Sequence, residues 1–154
     1  MTSTTPTSFE SRVRRHFGFL IERHGFQLEH IESNPLEDDG LAVLAAPTCL
    51  LKIVEHHGDG QIEWARNTEP VEWLNAFGLH HYLHHQLGLT GPVTVAADDP
   101  DWMATQAATI LPLIAALLAF FQPAGYNERA GELDLYTAER RAAYRRERAT
   151  RKGA

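Results

Sequence analysis

The sequence predicts an α+β fold: an N-terminal helix packed on a four-stranded antiparallel meander, followed by a helical C-terminal half. Three observations predict it. Residues 8 to 24 show a helical apolar period with clear end signals. Residues 26 to 67 switch to short, alternating, aliphatic runs separated by turn residues. From residue 70 the helical spacing returns. A chain of 154 residues holds one domain with a core and is short for two. We read 1–154 as a single domain, with a flexible N-terminus at 1–7, helix plus sheet at 8–67, a helical part at 70–150 and a basic tail at 145–154.

The first helix opens with capping-box spacing, Thr7 at the N-cap and Glu10 three residues on. Phe9, Val13, Phe17, Leu20 and Ile21 follow on one face. Gly25 fits the left-handed position after the helix, with Phe26 packing back. The strands are expected at 26–32, 40–46, 49–57 and 61–67, with Asp59-Gly60 as a hairpin turn. In the third strand Leu51 and Ile53 point one way and Lys52 and Val54 the other. Beyond the sheet, Glu69-Pro70 opens a helical segment that includes VEWLNAF and the histidine run. Asp99 as N-cap, Pro100 at N1 and Asp101 in the first turn start the next helix. Pro112 lacks the N–H that a helix interior needs, so this helix bends or splits there. A last helix is expected from Glu128 to about Lys152, apolar at Leu133, Leu135, Tyr136 and Tyr144.

Composition narrows the function classes. The single cysteine, Cys49, excludes an internal disulfide and a cysteine-based zinc motif, and its apolar neighbours mark it as a core residue. The opening MTSTTPTS has neither the basic nor the apolar region of a secretory signal, which points to a cytoplasmic location. Residues 102–121 approach the length of a membrane span, but Thr105, Gln106, Thr109 and Pro112 favour a core helix, so no membrane is expected. Residues 139–154 hold seven Arg/Lys against two Glu, a surplus of +5 in a chain of −6, which leaves −11 on the rest. An acidic body argues against general nucleic-acid binding and favours a basic partner.

The run GLHHYLHHQLGL at 78–89 carries the candidate metal ligands His80, His81, His84 and His85. Pairs at i, i+4 on a helix can bring two imidazoles to one ion. On a helical wheel Leu79, Tyr82, Leu83 and Leu87 share one arc and the four histidines the opposite one, so a solvated face is the simpler reading. A metal site needs more ligands, and His56 and His57 at the end of the third strand, near Glu55 and Asp59, are the candidates to supply them. No other constellation points to catalysis or a cofactor: there is no GxSxG elbow, glycine-rich phosphate loop or EF-hand spacing. The acidic turn Glu37-Asp38-Asp39-Gly40 reads as solvated. The arginines of 139–152 surround their helix without forming a single stripe, which makes nucleic-acid contact secondary.

Phe9, Phe17, Leu20, Gly25 and Phe26, with a helix ending in GF before a meander and C-terminal helices, resemble the layout of small bacterial cytosolic proteins, some of them immunity proteins of toxin systems. That resemblance implies a protein-binding role and carries no catalytic residue. The expectation is therefore a non-enzymatic protein that binds another protein, including an immunity-type inhibitor of a toxin or effector. The alternatives are a metal-binding protein or metal-dependent enzyme using the histidine helix, and a nucleic-acid-associated factor using the basic helix. The apolar helix around Pro112 also offers a homodimer surface.

Overall fold

The computed structural model describes residues 8–91, 93 and 100–152. The elements run α1 (Phe9–Arg23), β1 (Gln27–Asn34), β2 (Asp39–Ala45), β3 (Cys49–His56), β4 (Asp59–Arg66), β5 (Leu74–Asn75), α2 (Ala76–Gln86), α3 (Trp102–Ile110), a 3₁₀ turn (Leu111–Leu113), α4 (Ile114–Phe120) and α5 (Tyr126–Lys152). The fold is α+β, as the sequence indicates, but the antiparallel sheet has five strands in the order β1-β2-β3-β4-β5. The fifth, only Leu74–Asn75, pairs with Glu63 and Trp64. It falls within the stretch expected to be helical, and two residues are too few to show a strand period.

The C-terminal end of α1 follows from the sequence, while its N-cap is one residue later than the expected Thr7. Ser8 is the N-cap, its side chain accepting from the Ser11 N–H; Thr7, the expected cap, lies outside the described residues, as does the N-terminus at 1–7. At the other end Gly25 takes a left-handed φ of +74° and the Phe26 N–H donates to the Leu20 carbonyl. The β3–β4 hairpin differs by two residues from expectation. Its two-residue turn is His57-Gly58, with φ of +50° and +85°, and His56 pairs with Asp59. Both turn positions need positive φ, which Gly58 adopts without cost and His57 is held to by the turn. Asp59-Gly60 is the start of β4, not the turn.

One face of the sheet carries the main core. Phe9, Val13, Phe17 and Leu20 of α1 pack with Ala42, Leu44, Leu51, Ile53, Ile62 and Trp64 of the sheet, and with Leu79, Ile110, Leu113 and Leu117 of the later helices. Each large side chain so buried contributes about 1.5–3 kcal/mol. Leu51 and Ile53 point inward, and Lys52 and Val54 outward, as alternation requires. Pro112 falls in the 3₁₀ turn that separates α3 from α4. Trp102–Phe120 is long and apolar enough to cross a membrane by length and composition. Here it is split at that turn and buries Trp102, Met103, Ile110, Leu117 and Phe120 in the core. The helix starts at Trp102, with Asp101 as the residue before it and Pro100 in the preceding turn. The expected start at Pro100 is therefore two residues early, and Asp99 lies outside the described residues. In α5, Leu133 is buried, whereas Leu135 and Tyr144, apolar positions of the same helix, are 65% and 61% exposed. Residues 143–152 of that helix are all exposed.

Candidate functional site

Two buried polar arrangements decide which titratable groups are free to act. Glu55 is buried on the inner sheet face and accepts from Arg12 Nη1 at 2.7 Å, Arg12 Nη2 at 2.6 Å and Trp102 Nε1 at 2.8 Å. Burial pushes its carboxyl up, but the Arg12 and Trp102 hydrogen bonds and the Arg12 charge together outweigh that and hold it below the ordinary carboxylate range. In register, Gly40 and Gly60 flank Glu55 on the neighbouring strands. Neither has a positive φ. Their role is space: a Cβ on Gly40 falls 2.4 Å from the Phe9 ring, and one on Gly60 falls 1.8 Å from the Trp102 ring. Two aromatic rings thus lie directly on the sheet and enclose the carboxylate. The arrangement ties α1, β3 and α3 together and gives both carboxylate oxygens a donor.

The second arrangement is His80. It is 1% exposed, and its Nε2 accepts a hydrogen bond from Trp64 Nε1 at 2.8 Å. Burial depresses its pKa to about 4, so the ring is neutral with the proton on Nδ1. This corrects the expectation of a four-histidine solvated face. The physical reason is that α2 is buried on two sides. His80 faces β4, while His81 Nδ1 lies 2.8 Å from the Tyr136 hydroxyl, His85 rests 5.4 Å from the Tyr136 ring, and Tyr82 donates to Glu132 at 2.9 Å. The long α5 covers what a wheel drawn for α2 alone leaves open to water. His81 is held below the ordinary histidine range by burial and then by the Arg140 charge. His84 is half-buried and His85 exposed.

His56 and His57 sit at the opposite end of β4 from this pair. Asp59, opposite His56, is five residues before Trp64, about 17 Å along a strand. They gather around Asp39 instead: His56 Nδ1 is 3.4 Å from its carboxylate and the His57 N–H donates to it at 2.9 Å. That backbone hydrogen bond is the main reason the Asp39 carboxyl is lowered. Among the described residues, no three His, Cys, Asp or Glu side chains converge as a metal-binding group. His80 has already committed Nε2 to Trp64.

The remaining candidate surface is the outer face of the sheet. The residue order across it follows from the pairings. One row is His30, Val43, Lys52, Glu63, and the next is Glu32, Leu41, Val54, Gln61. At one end Ala45, Leu50 and Ala65 are covered by Val71 and Trp73, on whose ring Lys52 Nζ lies at 4.5 Å. At the other end, among the described residues, no such cover follows, and a basin of about 410 Å³ opens over Leu41 and Val54, walled by Glu32, Asn34, Asp39 and His56. Residues 27–75, the sheet together with its connecting loops, hold ten Asp/Glu against Lys52 and Arg66, a formal −8. A second groove of about 470 Å³ lies between β5, α2 and α5, lined by Leu74, Phe77, Leu79, Leu133 and Tyr144 with Arg140 and Arg141.

No family model, curated protein or solved structure matches this chain. The outer sheet face was not singled out in the sequence. Its signal was present in the half-polar alternation of 40–46 and 61–67, which only the pairing register turns into a surface.

Proposed function

We propose that this chain is a non-enzymatic, cytoplasmic protein-binding protein, an immunity-type inhibitor whose partner is a basic protein. The observation that carries the reading is the basin on the outer sheet face, where apolar Leu41 and Val54 share the lining with Glu32 and Asp39, in a segment, residues 27–75, of formal charge −8. An apolar floor supplies contact area, and an acidic rim steers a basic partner and fixes its orientation. The buried polar groups that a catalytic reading needs are already engaged: Glu55 with Arg12 and Trp102, His80 with Trp64. The test is affinity capture from the native host with the wild-type chain and with Val54→Lys, the variant first shown to be folded by far-UV circular dichroism. A basic protein recovered in stoichiometric amount by the wild type and lost from the variant supports the proposal. Equal recovery by both removes the sheet face from it.

A further inference from the structure

α5 has 27 residues and is about 40 Å long. Its inner side rests on the body through Leu133 and Tyr136. On the opposite side Gly131, Leu135, Ala138, Arg145 and Ala149 are exposed and Ala142 is half-buried, and a Cβ added at Gly131 meets nothing within 4 Å. The charge along the helix is sorted. Glu128, Glu132, Asp134 and Glu139 occupy the first half; Arg129, the base among them, is turned inward onto the carbonyls of Phe120, Gln122 and Ala124. From Arg140 to Lys152 there are seven bases and one acid. Alone in water, such a second half repels itself at i, i+3 and i, i+4, and its exposed residues gain little from packing to offset that.

We propose that α5 pairs antiparallel with α5 of a second copy of this chain, an inference independent of the sheet-face reading. A two-fold interface needs one patch complementary to itself, and a helix acidic in one half and basic in the other meets that need only when antiparallel. Centred on residue 140, the pairing sets Gly131 against Ala149 of the second copy, Ala138 against Ala142, and Leu135 under the aliphatic stem of Arg145. Asp134 then faces Arg148 of the second copy, and Glu132 faces Arg146 while one of its oxygens keeps Tyr82. Each pair occurs twice. The centre sets Glu139 and Arg141 each against its own copy, two like-charge contacts against four favourable ones. The alanine and glycine layers let the two backbones approach closely.

The experiment is sedimentation equilibrium of the full chain at low and high salt. A dimer that weakens with salt is expected. Asp134→Arg alone and Arg148→Asp alone each weaken it by about tenfold, since each turns two attractive pairs into repulsive ones. Mixing these two single variants restores a heterodimer, and the double variant restores a homodimer. Both positions are exposed, so circular dichroism of each variant stays unchanged. Three results overturn the proposal: a monomer at every concentration, a dimer indifferent to both substitutions, or a monomer that instead retains a nucleic-acid oligonucleotide through its basic half.

Discussion

The indole N–H of Trp64 donates to Nε2 of His80 at 2.8 Å in the interior, and the imidazole must be neutral to accept it. The folded pKa is about 4 against an ordinary value of 6.5, so the unfolded chain takes up the proton first as pH falls. Stability from this group is therefore complete above pH 6.5 and is lost as pH falls from 6.5 towards 4. Between pH 7.5 and 5 the loss is about 2 kcal/mol. Urea unfolding at the two pH values measures it. His80→Gln, which keeps an acceptor for Trp64 but does not titrate, should flatten that part of the dependence. An equally steep loss in the variant removes His80 as its source.

Gly60→Ala should be among the most damaging single substitutions in the protein. The added Cβ meets the Trp102 ring at 1.8 Å, and the ring cannot move without giving up its hydrogen bond to Glu55. A loss of about 3 kcal/mol is expected in chemical unfolding. Gly40→Ala, with 2.4 Å to the Phe9 ring, should cost less because Phe9 has no polar tether. A Gly60→Ala chain as stable as the wild type contradicts the packing.

Arg12→Leu leaves the Glu55 carboxylate buried without its cation, which costs about 3–5 kcal/mol at neutral pH. Changing both residues to apolar ones of similar size should cost less than Arg12→Leu alone. The sign with pH is the carboxylate one. Glu55 is held below its ordinary 4.5, so its contribution is present above that value and lost as pH falls through the folded pKa. Double-mutant cycles in urea at pH 7 and at pH 3 separate the pair from the rest.

Cys49 is fully buried and burial pushes its thiol up to about 12. Thiol reagents should label it at the rate of unfolding and not faster. Rapid labelling in native buffer contradicts its place in the core.

Much of the fold is legible in the sequence because it rests on local signals. The period of α1, Gly25 after it, the alternation of β2 to β4 and the break at Pro112 are each decided within a few residues. What is not legible depends on who lies opposite. Gly40 and Gly60 read as turn residues since each follows an aspartate, yet their function is to make room for Phe9 and Trp102 on either side of Glu55. The histidine run reads as a wet face since α2 by itself is amphipathic. That Trp64 takes His80 and Tyr136 takes His81 depends on elements 16 and 55 residues away. The outer sheet basin requires the register of three strands before it exists at all.

The proposed partner meets the outer face of the sheet and not the histidine helix. The most direct measurement is an equilibrium titration of the captured basic partner against four chains: wild type, Leu41→Lys, Val54→Lys and a His84→Ala/His85→Ala double variant. The two sheet variants should weaken binding by at least about tenfold, the cost of a charge placed on an apolar contact floor, while the histidine variant should bind as the wild type does. Binding that survives both sheet substitutions and fails with the histidine variant contradicts the claim.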